Sequence, residues 1–353
     1  MARLVIIAPG RGSYNRTELG YLNRFEGNPR HEARLALREQ GDRLRESAHR
    51  PSISELDNAS GYSSRTHLPG ENASALIYSC SIADLKTISP DHKIVAALGN
   101  SMGWYTTLCV GGSLSFEEAF RVVDTMGWFQ KGNVQGGQVI YPVVNDTWHH
   151  DPAREQAVTA ALSRVNQRGQ DHWVGLSIRL GGFLLLAGTS KGIKALLEEL
   201  PKITMGANEY PFQLARHGAF HTHLMGEASQ HGLYHLNNLD WAAPKLPVID
   251  GRGHIWYPHR TTHTELMNYT LKNQVLEPYD FSCSLRVAIR EYNPDHFVLL
   301  GPGETLGGSI AQVLIHEKWR GLDSKKAFVD AQKGANPPLI AMNRPEQAQL
   351  IID

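Results

Sequence analysis

The feature that most constrains the fold of this chain is a serine between two glycines, in the motif GNSMG at residues 99–103. An apolar run at 94–98 predicts a short buried strand before the motif, and the pattern from Trp104 onward predicts a helix after it. A serine at G-x-S-x-G between a strand and a helix is typical of a nucleophile elbow. The glycines suit this turn because a side chain at either position would collide with the neighbouring strand or helix.

The predicted turn would hold Ser101 in a strained backbone conformation, with its hydroxyl at the open end of a sheet. The helix behind it has free N–H groups and a positive dipole end, which can stabilise a developing oxyanion. The bare motif occurs by chance in many chains, and a plain glycine-rich turn is the alternative interpretation. The strand before it and the helix after it favour the catalytic interpretation, because that is the context the motif requires.

The composition is that of an ordinary globular protein. The chain has 353 residues, 41% of them hydrophobic, and its 35 basic residues equal its 35 acidic residues in number. This balance gives no reason to expect nucleic acid or an anionic membrane as a partner. No apolar run reaches the roughly 18 to 20 residues that a membrane helix needs. The N-terminal apolar run indicates a buried strand instead of a signal peptide, so we predict a cytoplasmic protein.

Cysteine and histidine form no disulfide or metal pattern in the sequence. The three cysteines lie in apolar contexts without C-x-x-C spacing, which is typical of core thiols in a reducing compartment. They are Cys80, Cys109 and Cys283. Among the 17 histidines, the candidates for a metal site are His149, His150, His254, His259 and His263. Their spacing fits no standard zinc pattern, so we predict no metal site.

The patterns in residues 1–133 predict strands and helices that would form part of an α/β domain. Residues 4–8 predict a strand that runs into a turn with Gly10 and Gly12. The spacing of these glycines matches neither a dinucleotide-binding loop nor a phosphate-binding loop. Further predicted elements are a helix at 30–47, a loop with short turns at 51–70, a helix at 73–85 and a helix that begins with a capping box at Ser115.

The glycine-rich residues 132–137 separate the first part of the chain from a series of alternating strand and helix patterns, which predicts an inserted domain. Six elements follow in the order strand, helix, strand, strand, helix, strand. The first five are at residues 139–145, 152–168, 173–180, 182–188 and 190–200, and the last is a short strand within 204–213. This β-α-β-β-α-β order is that of a ferredoxin-like unit. We therefore predict a large α/β-hydrolase-like body with a parallel sheet, residues 1–133 and 209–353, and an inserted ferredoxin-like domain at 134–208. The polar tail beyond Asp323 is predicted to be peripheral.

Four separated segments of the chain resemble one enzyme family. They are APGRGSY (8–14), GNSMGWYTTL (99–108) with SLSFEEAFRVV (113–123), GAFHTHLM (218–225), and NQVLEPYDF (273–281) with GPGETLGG (301–308). In sequence, order and spacing they resemble the malonyl-CoA:acyl-carrier-protein transacylases and the acyltransferase domains of polyketide synthases. The resemblance spans residues 8–310, which is most of the chain.

The resemblance implies a two-step transfer of an acyl group. Ser101 would attack an acyl thioester, and His221 would act as the general base. The backbone carbonyl near Gln274 would orient the histidine, and the backbone N–H groups of Arg11 and Met102 would form the oxyanion hole. The inserted domain would form one wall of the cleft. The implied substrates are acyl-CoA and the phosphopantetheine thioester of an acyl carrier protein, which is the implied partner, and no bound cofactor is implied.

The chain departs from this family where malonyl-specific members bind the malonyl carboxylate. Their arginine downstream of the serine corresponds to Met126, and the histidine before the serine corresponds to Asn100. A buried carboxylate without a bidentate partner is unfavourable, whereas methionine suits an apolar acyl chain. We therefore predict a non-malonyl acyl group, which would be acetyl, longer fatty, branched or aromatic. The other positions predicted for the substrate pocket are Asn72, His223 and Gly10.

Three alternatives stay open from the sequence. Another cation, Arg11 or His223, would replace the missing arginine and permit malonyl transfer. The site would instead hydrolyse acyl carrier proteins if water, and not a phosphopantetheine thiol, attacked the acyl-serine. A non-catalytic scaffold is the third alternative, and the intact serine, histidine and glycines of the motifs argue against it. The basic residues proposed by position for docking an acidic carrier protein are Arg11, Arg16, Lys191, Lys194 and Arg216.

Overall fold

Two main sheets and their surrounding helices make up the described part of the chain, which is residues 1–24 and 31–352 of a computed structural model. The strands are β1 (Arg3–Ala8), β2 (Lys93–Gly99), β3 (Gly137–Pro142), β4 (Val174–Leu180), β5 (Phe183–Gly188), β6 (Ile203–Met205), β7 (Asn208–Tyr210), β8 (Phe212–Gln213), β9 (Val248–Ile249), β10 (Ile255–Trp256), β11 (Tyr279–Asp280), β12 (His296–Leu299) and β13 (Leu339–Ala341). The helices are α1 (His31–Ser47), α2 (Ile53–Asp57), α3 (Ser64–His67), α4 (Gly70–Leu85), α5 (Gly103–Val110), α6 (Phe116–Phe129), α7 (Pro152–Asn166), α8 (Ser190–Glu199), α9 (Gly226–Leu236), α10 (His263–Asn268), α11 (Gln274–Leu276), α12 (Phe281–Tyr292), α13 (Gly307–His316), α14 (Lys325–Gln332) and α15 (Pro345–Ala348). A π-helical segment, Tyr269–Asn273, joins α10 to α11.

The central sheet runs in the order β10-β9-β2-β1-β12-β13. All neighbouring strands pair in parallel except β10, which is antiparallel to β9. Strands β1 and β2 lie in the middle of the sheet, and residues 4–8 of β1 are completely buried. Both faces of such a strand are covered, which explains why its sequence is a continuous apolar run and not an alternating one. The predicted α/β body with a parallel sheet is confirmed.

The second sheet runs in the order β11-β4-β5-β3-β8 and is antiparallel apart from the β11–β4 pair. Helices α7 and α8 pack on one of its faces around a separate core that includes Tyr141 and Leu186. Along the chain its elements follow the β-α-β-β-α-β series that the sequence indicates. The sheet also takes in Phe212–Gln213 and Tyr279–Asp280, so it extends beyond residues 134–208.

Helix α6 begins as the sequence predicts. The Ser115 hydroxyl accepts a hydrogen bond from the N–H of Glu118 at 3.2 Å, and the Glu118 carboxylate accepts one from the N–H of Ser115 at 2.9 Å. This capping box satisfies two N–H groups near the start of the helix. The helix packs against α4 and α9, and it presents Val123 and Met126 to the cavity beside the elbow serine.

Two segments that the sequence analysis treats as irregular or peripheral are regular structure. Residues 51–70 hold α2 and α3, and α2 begins with a second capping box between Ser52 and Glu55. The prediction of a loop was wrong because helices of four or five residues show no apolar periodicity. The prediction of a peripheral tail was also wrong, since β13 pairs with β12 and buries Ile340 completely.

The segment 204–213, which was predicted to contain a last short strand, holds the hairpin of β6 and β7 and then the short strand β8, which pairs with β3. The helix predicted at 30–47 corresponds to α1, and its predicted first residue lies outside the described residues.

No helix in residues 1–24 and 31–352 is long and apolar enough to cross a membrane. Within the same ranges, no three His, Cys, Asp or Glu side chains converge so that they could hold a metal ion. Of the candidate histidines, His149 hydrogen-bonds to the carbonyl of Asp323, and His150 lies against Glu155. The three cysteines are free thiols.

Candidate active site

The turn between β2 and α5 is a tight nucleophile elbow. Ser101 has φ of 53°, a left-handed conformation that is uncommon outside glycine. A Cβ on Gly99 would lie 2.3 Å from the carbonyl of Gly103, and a Cβ on Gly103 would lie 2.2 Å from the carbonyl oxygen of Ala8. Glycine is therefore required at both positions by close approach of the backbone, as the sequence pattern predicts.

We expect Gly103→Ala to destabilise the protein and to remove its activity, because the added methyl group would push β1 away from the elbow. Overpacking of this kind typically costs roughly 1–3 kcal/mol. Thermal unfolding of the purified variant measures the loss. Gly308→Ala is the matched control, because a Cβ there meets nothing within 4 Å, and it should melt close to wild type. Equal melting temperatures for the two variants would contradict the prediction.

Ser101 and His221 form a hydrogen-bonded pair. The Ser101 Oγ lies 2.7 Å from His221 Nε2, and His221 Nδ1 lies 2.6 Å from the backbone carbonyl oxygen of Gln274. A carbonyl oxygen only accepts, so Nδ1 carries the proton and Nε2 presents its lone pair to the serine hydroxyl. This is the tautomer that a general base needs in order to take the serine proton.

Gln274 holds the pair with its side chain as well as with its backbone. Its Nε2 donates to the backbone carbonyl of Ser101 at 3.0 Å, and its Oε1 accepts from the Tyr105 hydroxyl at 3.1 Å. The residue directly follows the π-helical segment, a distortion that is frequent at functional sites. The sequence predicted only the carbonyl of Gln274 in the site and not the contact with Tyr105, because no local pattern predicts contacts between residues 169 positions apart.

Burial sets the protonation state of His221. The side chain is 4% exposed, and desolvation lowers its pKa to about 4, against the opposing effect of the hydrogen bond to Gln274. A buried imidazole is neutral unless a carboxylate stabilises its charge. His221 is therefore neutral at neutral pH and ready to accept a proton.

The predicted oxyanion donors lie at the same site. Met102 immediately precedes α5, Arg11 lies in the turn after β1, and both residues line the cavity at Ser101. Among the described residues, neither backbone N–H has a hydrogen-bond acceptor. A free N–H at the start of a helix is suited to a developing negative charge. The assignment of these two groups as the oxyanion hole stays a prediction.

A small cavity of about 60 Å³ opens beside Ser101 and His221. Its lining residues, apart from these two, are Arg11, Ser74, Met102, Tyr105, Val123, Met126, Gly127, Gln130, Phe220, Met225, Ala228, Gln274 and Val275. A water molecule needs roughly 10–15 Å³ by the same measure, so the cavity holds only a few non-hydrogen atoms. None of its lining residues comes from 134–208, so the inserted domain does not line this small cavity, and the prediction that it forms one wall of the wider cleft stays a prediction.

Of the residues predicted for the substrate pocket, Met126 lines the cavity and the others do not. Asn72 accepts a hydrogen bond from Arg45 at 2.7 Å, and His223 is exposed and packs on the ring of Trp173. Both side chains therefore contact residues outside the cavity.

Asn100 is part of the elbow turn and Gly10 lies against it, and neither residue lines the cavity. A Cβ on Gly10 would lie 2.7 Å from the carbonyl oxygen of Asn100, so glycine permits the two turns to touch. The Oδ1 atom of Asn100 is buried and has no hydrogen-bond partner in the described structure.

Arg11 places a cation in the cavity lining. Its guanidinium donates to the side-chain carbonyl of Gln130, to the backbone carbonyl of Leu68 at 3.2 Å and to that of Arg216 at 2.9 Å. Its Nε has no hydrogen-bond partner among the described residues, and the carboxylate of Glu71 is near enough to act on its charge. Burial lowers the pKa of Arg11 to about 10, so the side chain remains charged. These contacts hold Arg11 at the cavity, and its role in docking a carrier protein stays a prediction.

Comparison with known proteins identifies sequence relatives of the chain. The chain matches no protein-family model. The malonyl CoA-acyl carrier protein transacylase of Staphylococcus aureus is 26% identical to it over 234 residues, which is 66% of this chain and 69% of the relative. The enzyme of the same name from Bacillus subtilis is 26% identical over 248 residues, 69% of this chain and 72% of the relative.

Solved structures share the fold over nearly the whole chain. The acyl-carrier-protein S-malonyltransferase of Bartonella henselae superposes with a TM-score of 0.73 at 16% identity, covering 98% of this chain and 97% of that one. A malonyl transacylase solved with its type II polyketide synthase acyl-carrier protein superposes with a TM-score of 0.73 at 15% identity, covering 99% and 98%. The acyltransferase domain of the second salinomycin polyketide synthase module gives 0.69 at 16% identity, covering 99% and 70%. The homologues and structural neighbours of the chain are thus malonyl-CoA:acyl-carrier-protein transacylases and a polyketide synthase acyltransferase domain, and the chain is an acyltransferase related to them.

Proposed function

We propose that the chain is an acyl-thioester:acyl-carrier-protein S-acyltransferase that works through an acyl ester of Ser101. The observation that carries the proposal is the 2.7 Å contact between Ser101 Oγ and His221 Nε2 at the mouth of a small cavity. A serine activated in this way is a nucleophile toward thioesters. In this proposal CoA and phosphopantetheine are parts of the substrates and not bound cofactors.

In the first half-reaction, Ser101 Oγ attacks the thioester carbonyl while its proton passes to His221 Nε2. The carbonyl oxygen becomes an oxyanion that accepts hydrogen bonds from the N–H groups of Arg11 and Met102. The C–S bond then breaks, and the leaving thiolate takes the proton from Nε2. The products are the acyl-serine and a free thiol, with the histidine neutral again.

The second half-reaction reverses these steps with the phosphopantetheine thiol of an acyl carrier protein. His221 Nε2 takes the thiol proton, the thiolate attacks the acyl-serine ester, and the proton returns to Ser101 Oγ. The carbonyl of Gln274 stabilises the histidine each time it becomes charged, in the place where many serine enzymes have a carboxylate.

The acyl group that we propose is short and uncharged. Met126 and Val123 make one wall of the cavity apolar, and methionine adapts to varied shapes. The volume of about 60 Å³ favours acetyl or a slightly larger group over a long fatty chain. This narrows the non-malonyl classes that the sequence left open.

A second candidate is an acyl group that carries a carboxylate, such as malonyl. Arg11 favours it, because a partly buried guanidinium whose hydrogen-bond acceptors are all neutral would gain an anionic partner. The cation would then come from the turn after β1 and not from α6.

Acylation rates with acetyl-CoA and with malonyl-CoA distinguish the two candidate acyl groups. We expect acetyl-CoA to acylate wild type faster than malonyl-CoA does, and Arg11→Gln to change the acetyl rate little, since its backbone N–H remains. The initial rate of mass increase of the intact protein measures both. Faster labelling by malonyl-CoA, with a selective loss of roughly 10²-fold in Arg11→Gln, would overturn the uncharged acyl group in favour of the second candidate.

Transfer to a carrier protein separates the transferase from the hydrolase. Adding holo acyl carrier protein to acylated enzyme should move the acyl mass onto the carrier. Decay to free acid at the same rate with and without the carrier would contradict the transferase and support hydrolysis.

A further inference from the structure

Two polar side chains of the second sheet are buried on the face that is turned toward His221. Gln138 on β3 is 1% exposed and Ser177 on β4 is 0% exposed. Gln138 alternates with Val139, whose side chain packs into the core under α7 and α8, so Gln138 points to the other face. Burial of an amide and a hydroxyl is unfavourable unless both are hydrogen-bonded.

The sheet is built so that these two side chains meet across an intervening strand. Gln138 is in register with Ala187 on β5, and the small alanine leaves room for the longer side chain to cross. On β4 the register shifts between Leu176 and Ile178, which leaves Ser177 as an extra residue. A bulge of this kind redirects a side chain, and bulges are frequent next to active sites.

The hydrogen bonds of the pair end at the residue before His221. Gln138 Nε2 donates to Ser177 Oγ at 2.6 Å, and the Ser177 hydroxyl donates to the backbone carbonyl of Phe220 at 2.8 Å. The other end of the chain is Gln138 Oε1, 2.9 Å from His217 Nδ1. The Phe220 carbonyl can only accept, and this fixes the donor and the acceptor in each of the three hydrogen bonds. His217 Nδ1 is therefore the donor at the start of the series.

The peptide that receives this hydrogen bond leads into a strained residue. His221 has φ of 58°, a backbone conformation that is unfavourable for residues other than glycine. Contacts with the surrounding structure must therefore hold the backbone in this conformation. The loop is also held by the N–H of Ala219, which donates to the Gln135 carbonyl at 2.8 Å. Both contacts come from the segment around the inserted sheet and not from the central sheet that carries Ser101.

We propose that Ser177 and Gln138 are positioning residues, which hold the Phe220 carbonyl so that His221 Nε2 stays in line with the Ser101 hydroxyl. The inserted sheet then contributes to catalysis through the backbone of the histidine turn, although it does not line the cavity. This role is independent of the identity of the acyl group and of the final acceptor.

The test uses Ser177→Ala, Gln138→Met and the double variant. The rate at which a fluorophosphonate probe labels Ser101 reports on the serine–histidine pair without any acyl donor. We expect each single variant to label about 10- to 100-fold more slowly, which is the effect of an ångström-scale misplacement of a catalytic group. Since both residues act through one hydrogen-bond chain, the double variant should be no slower than the slower single variant.

Ser79→Ala is the matched control, because Ser79 is a buried serine that donates to a backbone carbonyl within α4, away from the histidine turn. It should label at the wild-type rate. With a working acyl donor, kcat of Ser177→Ala should fall while KM stays within about twofold, since Ser177 does not touch the cavity.

Three outcomes of the experiment are distinguishable. Folded Ser177→Ala and Gln138→Met variants that label at the wild-type rate would overturn the positioning role. Independent, additive losses in the double variant would also overturn it, because separate packing defects add. Wild-type protein that labels with the probe but transfers no acyl group would overturn the proposed function and leave the positioning role intact.

Discussion

Ser101→Ala is expected to take up no acyl group from any acyl-CoA that labels the wild-type protein. The alanine lacks the only atom that forms the ester, and it leaves the elbow intact because the methyl group replaces a CH₂OH in the same position. Loss of a catalytic serine typically lowers turnover by roughly 10⁴-fold or more. Intact-protein mass spectrometry after incubation with acyl-CoA measures the effect, as the presence or absence of the added acyl mass.

Ser79→Ala serves as the control for this experiment too, and it should acylate like wild type. Uptake of one acyl group by Ser101→Ala would contradict the assignment of the nucleophile. In that case peptide mapping of the labelled residue would identify the group that reacts instead.

The acylation rate should be nearly independent of pH from neutrality down to about pH 5. The base works only as neutral imidazole, and burial lowers the pKa of His221 to about 4. At pH 5 such a group is about 90% neutral, whereas a histidine with its ordinary value near 6.5 would be about 3% neutral. The rate should therefore rise with pH through about 4 and then level off, as measured by probe labelling over short times.

His221→Ala should lower the labelling rate by roughly 10²- to 10⁴-fold at pH 7 and should remove the acid limb of the profile. His231→Ala is a suitable comparison, since burial also lowers the pKa of this histidine, on α9, but it does not line the cavity. An acid limb near 6.5 in the wild-type protein would show that His221 is hydrated and more mobile than its surroundings indicate.

The elbow could be predicted from sequence because its geometry is local. Gly99 and Gly103 are needed for contacts within a few residues of the serine and with the first strand, and such contacts leave a fixed spacing in the sequence. Spacing along the chain does not predict the pairing of Ser101 with His221, because different segments bring the two residues together. The family resemblance predicted the pair, and the 2.7 Å contact agrees with it.

Other parts of the site depend on tertiary packing that no local pattern encodes. The direction of the Arg11 side chain follows from acceptors on three distant segments, so the sequence around Arg11 could suggest its position in the cavity but could not establish it. The contact of Ser177 with Phe220 requires a bulge and a register that only the folded sheet defines. Asn72 was misplaced for the same reason, since its partner Arg45 comes from another helix.

The tail shows how a local signal can mislead. Pro337 and Pro338 suggested a break and a polar terminal segment, but they directly precede β13, the strand that completes one edge of the central sheet. Proline is compatible with the start of an edge strand because no ladder hydrogen bond is lost there.

The order of strands in the central sheet also has a consequence for how the protein is made. Strand β1 pairs with β2 on one side and with β12 on the other, so its two partners lie about 90 and 290 residues further along the chain. The inserted sheet, by contrast, draws four of its five strands from residues 137–213. Closing long loops slows assembly, and local pairing does not require them. During synthesis, the scaffold of the histidine turn can therefore form before the central sheet is complete, because β12 and β13 are the last strands of that sheet to be made.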